Sequence, residues 1–224
     1  MVVVQVTEAA VPGDITVSDA VECEGLPVEL TPTSLLSNPV YTWYKDVKKA
    51  QPITNGTEGL VSYSIDENGV LTITGLPGGS DITYYVAVTS DEKCENAAGD
   101  LTSANVKITT AALADDITIE DEVICEGASA VLRPSSGLIS PEYRWYRNAD
   151  RTGEILDGTS DGLINYELDS DGTLTVTNLP AEDTYTYYLS VQGTDKCENL
   201  ADNLKEVKVV VEHPPEQPDI TLLD

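Results

Sequence analysis

The sequence contains one segment twice. Residues of the first copy recur in the same order in the second copy, 102 or 103 positions later. The matched residues are Cys23, Trp43, Gly56, Leu71, Tyr84, Tyr85 and Cys94 in the first copy and Cys125, Trp145, Gly158, Leu174, Tyr187, Tyr188 and Cys197 in the second. Self-similarity at a fixed spacing is the sequence signature of a protein built from structural repeats. Each copy has the size of a small domain, so we predict two folded repeats.

The repeat also predicts the boundaries of these units. The strand pattern at residues 2–6 matches the end of each copy, and "PDITLLD" at residues 218–224 matches the start of each copy. We therefore expect residues 1–10 to be the last strand of a preceding repeat and residues 214–224 to be a linker and the first strand of a following one. The repeats themselves are predicted at 11–111 and 112–213. The chain is then an excerpt from a longer repetitive protein.

Within each copy, short apolar runs alternate with turn residues, a pattern typical of an all-β sandwich. No stretch has sustained helical periodicity. The strands predicted in the first repeat are 14–18, 27–31, 40–45, 61–65, 70–74, 83–88 and 105–109. "DENG" and "DSDG" predict the same hairpin turn in the two repeats.

Aromatic residues identify the core. Alternation along the strand places Trp43 and Tyr41 on one face, and it places Tyr44 on the other face, which we expect to be exposed. The second repeat has Trp145 and Tyr146 at the equivalent positions. We predict a core built around Trp43, Trp145, Tyr84 and Tyr187.

The segment "LTVTNLPAEDTYTYYLSV" resembles the corner between strands E and F of immunoglobulin-like domains. In that corner an acidic residue precedes by four a tyrosine whose hydroxyl ties the turn together. Asp183 and Tyr187 fit this spacing, and Ser80 and Tyr84 take their places in the first repeat. "GLPVEL" also fits the beginning of strand B. The whole repeat is similar to the immunoglobulin-like repeats of giant cell-surface adhesins of Bacteroidota, which include gliding-motility adhesins and cargo of type IX secretion.

The resemblance implies tandem immunoglobulin-like sandwiches, arranged head to tail, on the surface of a bacterial cell. One departure concerns the disulfide that crosses the core of antibody domains. The two cysteine positions of that disulfide are occupied by Pro32 and Val86 in the first repeat and by Pro134 and Leu189 in the second. We therefore expect packing around the tryptophans to hold the core together.

The four cysteines lie outside the predicted core strands, in two equivalent pairs. One bond per repeat would join Cys23 to Cys94 and Cys125 to Cys197. However, strands B and F run in the same direction, so Cys23 and Cys94 should lie at opposite ends of a strand of roughly 23 Å. Bridged Cα atoms must approach within about 7 Å. We slightly favour a bond between repeats, Cys23–Cys197, although the long segment after strand F could fold back and allow the bond within each repeat.

Charge and residue types argue against several functions. A formal charge of −27 disfavours binding to nucleic acid and to anionic membranes. No apolar run is long enough to span a bilayer. The single histidine, His213, lies in a proline-rich segment, and no cleft with a nucleophile and a base is indicated. We predict that the chain is not an enzyme.

Acidic residues cluster where the first repeat meets the second. These residues are Asp115, Asp116, Glu120 and Asp121, with Glu22 and Glu24 expected to face them. Oxygen-rich junctions can hold calcium, so calcium is the one candidate cofactor, although we favour the interpretation that the chain has no cofactor. The alternative is that these are solvated acidic loops.

These patterns predict a structural spacer in a long extracellular adhesin or surface filament. Its partners would be neighbouring repeats and other copies of the filament. The alternative is a module that binds a surface glycan or a protein through the sheet face, where Tyr44 and Tyr146 would be exposed, or through the loops between strands F and G.

Overall fold

The computed structural model describes residues 6–181 and 183–213. The chain forms two compact units, Met1–Thr110 and Ala111–Asp224. The strand predicted at residues 2–6 falls almost entirely outside the described residues, as do the linker and strand predicted at 214–224. No helix among the described residues is long and apolar enough to cross a membrane.

The first unit consists of two four-stranded sheets. Its strands are β1 (Ala20–Cys23), β2 (Val28–Leu30), β3 (Val40–Tyr44), β4 (Gly56–Glu58), β5 (Val61–Ile65), β6 (Leu71–Thr74), β7 (Asp81–Thr89) and β8 (Thr102–Thr109). One sheet has the order β1-β8-β7-β3 and the other has the order β2-β6-β5-β4. The strand β1 runs parallel to β8, and the other pairings are antiparallel.

The second unit repeats this arrangement. Its strands are β9 (Ile117–Thr118), β10 (Glu122–Cys125), β11 (Ala130–Leu132), β12 (Ser135–Ser136), β13 (Glu142–Tyr146), β14 (Glu154–Ile155), β15 (Ser160–Asp161), β16 (Ile164–Leu168), β17 (Leu174–Thr177), β18 (Thr184–Gln192) and β19 (Lys205–Glu212). The two main sheets have the orders β10-β19-β18-β13-β14 and β11-β17-β16-β15, and β12 pairs with β9. In the five-stranded sheet, β10 comes first along the chain and β19 comes last, and these two strands run parallel to each other, as β1 and β8 do in the first unit.

The order of the strands is that of the immunoglobulin fold. In the first unit, β7 lies between β3 and β8, and β6 lies between β2 and β5, as strand F lies between C and G and strand E between B and D. Side chains alternate between core and solvent, so that Val28 and Leu30 are buried and Glu29 is exposed. The prediction of an all-β fold of tandem immunoglobulin-like repeats is confirmed.

In the first repeat, the first strand was predicted in the wrong place. Residues 14–18 do not form a strand, and Thr16 makes only an isolated bridge with Thr33. A 3₁₀ turn at Pro12–Asp14 interrupts the segment, and the Asp14 side chain accepts a hydrogen bond from the backbone N–H of Val11. The chain becomes a strand later, at β1, where the Asp19 side chain accepts the N–H of Asn105 on β8.

The two tryptophans lie at the centre of the two cores. Trp43 and Trp145 are fully buried, as are Val86 and Leu189, which occupy positions of the absent core cysteines. Each indole N–H donates a hydrogen bond to the carbonyl of the glycine that ends a hairpin turn. For Trp43 the acceptor is the carbonyl of Gly69, at 2.8 Å. Gly69 has φ +79°, and a Cβ there would lie 2.6 Å from a ring carbon of Tyr41. Glycine is therefore required at this turn for two reasons, its backbone conformation and its close contact with Tyr41.

The tyrosine corner is not formed as the resemblance implied. Tyr187 is buried in the core and packs edge to face against Tyr166, with ring centroids 6.1 Å apart. Its hydroxyl has no hydrogen-bond partner among the described residues. The Asp183 carboxylate instead accepts the N–H of Thr184. Burial raises the pKa of Tyr187 well above its usual value, so the phenol stays neutral.

Candidate functional site: the KCEN motif and the cysteine positions

A four-residue sequence, Lys-Cys-Glu-Asn, follows strand F in both repeats. It occupies residues 93–96 after β7 and residues 196–199 after β18. We refer to it as the KCEN motif. Each of its four residues makes the same kind of contact in the two repeats, and together these contacts fix the position of the cysteine.

The asparagine joins the loop to the strand. Asn199 is fully buried, and its side-chain oxygen accepts the N–H of Val191 on β18 at 2.7 Å. Its side-chain nitrogen donates to the carbonyl of Asn203 at 3.0 Å. Asn96 makes the equivalent bonds with Val88 and Asp100. A buried amide with both ends satisfied holds the loop in one conformation, because moving it would leave backbone groups unpaired.

The glutamate binds hydroxyl groups and a cation. Glu198 accepts hydrogen bonds from Ser190 at 2.6 Å and from Tyr146 at 2.8 Å, and it forms an ion pair with Arg151. In the first repeat Glu95 accepts from the Tyr44 hydroxyl at 2.8 Å and pairs with Lys49. Burial alone would raise the pKa of Glu198. The hydrogen bonds from Ser190 and Tyr146 and the charge of Arg151 outweigh burial and lower this pKa below its usual value.

These contacts correct the prediction that Tyr44 and Tyr146 are exposed. Tyr44 is only 7% exposed and Tyr146 only 3%. The segment after strand F folds over this face of the sheet, and Leu101 and Ala87 pack with Tyr44 in a small separate core. Burial, with the hydrogen bond to Glu95, raises the pKa of Tyr44 to about 12. The tyrosines therefore offer no exposed ring on which a sugar could stack.

The lysine ties the loop to the segment that enters the repeat. Lys93 Nζ lies 2.6 Å from Asp14 Oδ2, and Lys196 Nζ lies 2.7 Å from Asp116 Oδ2. Hydrogen bonding to Lys196 and to the backbone N–H of Leu113 lowers the pKa of Asp116. Both carboxylates therefore stay ionised and keep the entering segment in place.

The cysteine of the motif lies beside the same segment. Cys94 forms a parallel bridge with Ala9, and its carbonyl accepts the N–H of Ala10 at 2.8 Å. Cys197 forms the same parallel bridge with Ala111, and its carbonyl accepts the N–H of Ala112 at 2.8 Å.

The other two cysteines end the edge strands. Cys23 is the last residue of β1 and lies opposite Thr109 of β8, while Cys125 is the last residue of β10 and lies opposite Glu212 of β19. Each is followed by a turn with a glycine at positive φ, Gly25 or Gly127. The sequence patterns did not predict the strand that Cys23 ends.

The register places Cys23 and Cys94 at opposite ends of one sheet. Cys23 lies beside the end of β8, which pairs with the start of β7, whereas Cys94 follows the end of β7. The strand β7 has nine residues, so its ends are roughly 26 Å apart. In agreement with this distance, Cys94 and Cys125 are free thiols, and Cys23 and Cys197 are the cysteines in disulfide form. The bond within each repeat is therefore absent from the described chain.

The predicted calcium ligands have other partners. Asp116 pairs with Lys196, and the Asp121 side chain accepts the backbone N–H of Lys208 at 2.8 Å. Within residues 6–181 and 183–213, no three His, Cys, Asp or Glu side chains are grouped so that they could hold a metal ion. The candidate calcium site, with Glu22, Glu24, Asp115, Asp116, Glu120 and Asp121 as its possible ligands, stays a prediction.

The roles of the glutamate and the asparagine were missed by sequence reasoning. Their recurrence beside a cysteine in both repeats was the available signal, since a solvated loop has no need to repeat Lys, Glu and Asn in the same order. The partners could not be predicted, because Tyr146 and Ser190 are 52 and 8 residues away from Glu198.

Replacing Glu198 with glutamine is expected to lower the free energy of unfolding of the second repeat by about 2 kcal/mol at pH 7, because hydrogen bonds to a charged group become neutral ones. A carboxylate with a lowered pKa stabilises the fold above its unfolded-state value of 4.5, and this contribution is lost as the pH falls through the folded-state value. The difference between wild type and variant should therefore be smaller at pH 3 than at pH 7. Denaturant unfolding at the two pH values measures it.

A matched control for this experiment is Glu206→Gln, at the half-exposed surface pair with Lys208. That change should cost less than about 0.5 kcal/mol. A difference between Glu198→Gln and wild type that stays constant from pH 7 to pH 3 would contradict the role given to the ionised carboxylate.

Comparison with solved structures finds matches at low sequence identity and with TM-scores below 0.5. No family model and no curated protein matches this sequence. The I9–I11 tandem of titin matches with a TM-score of 0.41 and 15% identity over 89% of this chain, which spans 65% of the titin chain. Murine CEACAM1b matches with a TM-score of 0.34 and 15% identity, over 89% of this chain and all of that one. The tandem Ig repeats of Dlar match with a TM-score of 0.32 and 16% identity, over 89% and 97% of the two chains.

Proposed function

We propose that this chain is a structural segment of an extracellular rod, in which a disulfide between Cys23 and Cys197 joins one immunoglobulin-like repeat to the next. One observation carries this proposal. The two cysteines in disulfide form belong to different repeats, and the remaining cysteine of each repeat is free. A bond between repeats makes the junction covalent in two places, the main chain and the disulfide.

The local register supports this pairing. Cys23 lies opposite Thr109 within the first unit, and Cys197 bridges to Ala111 within the second. Thr109 and Ala111 are two residues apart on one chain segment, which spans roughly 7 Å when extended. This separation is close to the range that a disulfide requires.

A bond between Cys23 and Cys197 would change the path of a pulling force. Tension applied at the two ends of the chain would pass from Cys23 directly to Cys197. Residues 24–196 would then form a closed loop that bears no extension. Most of both repeats would lie inside this loop, with only β1 and β19 outside it, so most of the segment would be protected from unravelling under load.

The parallel pairing of β1 with β8 adds resistance to force. The strand β1 is close to where the chain enters the first repeat, and β8 is where it leaves. Once the disulfide is reduced, pulling the two ends apart would load this ladder along the strands, so that its hydrogen bonds must break together rather than one after another. The register runs from Ala20 opposite Val106 to Cys23 opposite Thr109. The second repeat has the same arrangement in β10 and β19.

Single-molecule stretching of the chain between its two ends should show the protected loop directly. The oxidised protein is expected to extend only through residues outside 24–196. Reduction of the disulfide should add about 600 Å to the length of the fully extended chain. The measurement is the contour length with and without a reducing agent, combined with peptide mapping of the unreduced protein after free thiols are blocked.

The control is Cys94→Ser with Cys125→Ser, which removes both free thiols and should behave as the wild type does. The variant Cys23→Ser should extend to the same length with or without reducing agent. A wild-type protein that releases two smaller loops, 24–93 and 126–196, would contradict the proposal, because those loops belong to bonds within each repeat.

Disulfide formation fits an oxidising compartment, and we propose an extracellular location for this reason. The sequence resemblance adds the finer proposal that the parent protein is a bacterial surface adhesin of the gliding-motility or type IX secretion kind. Its partners would be neighbouring repeats and other copies of the filament, and calcium would bind at the junction. The high negative charge would keep neighbouring filaments apart.

A further inference from the structure

One residue in the loop after strand C has a left-handed backbone in both repeats. Lys49 has φ +61° and Arg151 has φ +65°, and the two positions are equivalent by the offset of 102. Each ends a turn, because the N–H of Lys49 donates to the carbonyl of Asp46 and that of Arg151 donates to the carbonyl of Asn148. Glycine adopts this conformation freely, whereas a residue with a Cβ is strained there. Such strain persists only where the surrounding contacts hold the residue in place, and it is typical of clamps and switches.

The Arg151 side chain contacts the KCEN motif and the tyrosine of strand C beside it. Its guanidinium forms the ion pair with Glu198, and it donates to the backbone carbonyl of Asn199 at 3.3 Å. It also lies 5.7 Å from the centre of the Tyr146 ring, within the range of a cation–π interaction. Arg144 approaches Glu198 only to 3.9 Å and is more exposed. Arg151 is therefore the cation that joins the segment between β13 and β14 to the motif after β18.

Lys49 makes the same three kinds of contact in the first repeat. Its ammonium group lies 2.8 Å from Glu95 Oε2, donates to the backbone carbonyl of Asn96 at 2.6 Å, and lies 5.6 Å from the centre of the Tyr44 ring. Lysine and arginine differ in length and shape, yet each reaches an equivalent carboxylate, carbonyl and ring. The strained backbone and the three contacts therefore occur together in both repeats.

We infer that Lys49 and Arg151 are positioning residues, and that each acts as a strained latch on the KCEN motif. The cation keeps two loops together, the loop after strand C and the loop that carries the cysteine. When the cation is released, its strained backbone relaxes, so the open arrangement is favoured further. In the second repeat the latch sets how often the loop at Cys197 opens, and hence how fast its disulfide is reduced. The effect on the disulfide rests on the proposed Cys23–Cys197 bond, whereas the latch itself does not.

Reduction by dithiothreitol measures access to this disulfide. One thiolate of the reductant attacks a sulfur of the protein disulfide and displaces the other cysteine as a thiolate. The second thiolate of the reductant then attacks the mixed disulfide and displaces the first cysteine. The protein gains two thiols, the reductant becomes a cyclic disulfide, and its two protons go to the released cysteines. Both steps require a sulfur that the reductant can reach, so opening of the loop should speed them.

Three variants of the full chain test the inference: Arg151→Lys, Arg151→Ala and Arg151→Gly. Two amide groups report the closed loop in hydrogen exchange. The N–H of Val191 donates to the side chain of Asn199, and the N–H of Ala112 donates to the carbonyl of Cys197. Neither bond depends on which cysteine Cys197 is joined to. Exchange of these two amides and the rate of reduction are measured in each variant.

Arg151→Lys should exchange both amides at close to the wild-type rate, because lysine makes the same contacts in the first repeat. Arg151→Ala and Arg151→Gly should exchange them, and lose the disulfide, at least about tenfold faster, which corresponds to 1.4 kcal/mol of local stability. Arg151→Gly should nevertheless unfold at a higher denaturant concentration than Arg151→Ala, because glycine adopts positive φ without strain. The amide of Val176, which is fully buried in β17, reports global unfolding and should change less than the two loop amides.

Arg147→Ala is the control in the same loop, because Arg147 pairs with Asp161 at 2.8 Å. It should leave the exchange of both amides at the wild-type rate. Wild-type exchange in Arg151→Ala, an equal acceleration in Arg147→Ala, or equal stability of the glycine and alanine variants would overturn the inference. Peptide mapping keeps the two proposals apart. If Cys23 and Cys197 are found joined but exchange is unchanged, only this inference fails, whereas faster exchange without that bond removes the proposed function and leaves the latch.

Discussion

Replacing Trp145 with alanine is expected to lower the free energy of unfolding of the second repeat by about 3–5 kcal/mol. The side chain is fully buried, so the change leaves a cavity in the centre of the core. The carbonyl of Gly172, which accepts the indole N–H at 2.8 Å, also loses its partner. A loss of this size is a large fraction of the stability of a domain of this length, which is about 5–15 kcal/mol. Calorimetry should show a second-repeat transition at clearly lower temperature.

The first repeat provides the matched experiment. Trp43→Ala should have an effect of similar size on the first repeat, because Trp43 has the same burial and donates to Gly69 at the same distance. The chain has two tryptophans, so in each variant the fluorescence of the remaining tryptophan reports on the unaltered repeat. Leu163→Ala, at a residue that is 79% exposed, should cost less than about 0.5 kcal/mol. A Trp145→Ala variant as stable as Leu163→Ala would show that the core is not organised around the tryptophan.

The features that local sequence patterns determine were the ones predicted well. The hairpin "DENG" forms because the Asp66 side chain accepts backbone N–H groups of its own turn, including that of Val70. The strands around it alternate between core and solvent, so their period is visible without knowledge of the partner strand. Trp43 and Trp145 could be assigned to the core because a tryptophan at this point of a sandwich has no other place to bury its ring.

Features that depend on distant parts of the chain were missed. Tyr44 faces away from the main core, as alternation predicted, but the segment after strand F covers that face and buries the ring. Strand β1 depends on a parallel partner, β8, that lies more than 80 residues later. The predicted strand at 14–18 was overridden by the turn in which Asp14 caps Val11 and pairs with Lys93. None of these contacts leaves a local period in the sequence.

Replacing Asn199 with alanine is expected to lower the free energy of unfolding of the second repeat by about 2–5 kcal/mol. Two backbone groups lose their partner, the N–H of Val191 and the carbonyl of Asn203, and an unsatisfied buried group costs about 1–3 kcal/mol. Because the same side chain fixes the loop that carries Cys197, the variant should also open locally more often. We therefore expect the disulfide of Cys197 to be reduced at least about tenfold faster in mild reductant, which corresponds to 1.4 kcal/mol of local stability.

The size of the side chain and its hydrogen bonds can be separated by a second substitution. Asn199→Asp keeps an oxygen for the N–H of Val191 but loses the donor to Asn203, and it places a second carboxylate one residue after Glu198. It should therefore be destabilised although its volume is unchanged. Asn165→Ala, at an exposed position of β16, serves as the control and should change neither stability nor the rate of reduction. If Asn199→Ala is destabilised but its disulfide is reduced at the wild-type rate, the asparagine supports the core alone. A faster reduction would mean that the KCEN motif holds the cysteine in place, and that the strength of the proposed junction depends on a buried amide and not only on the sulfur–sulfur bond.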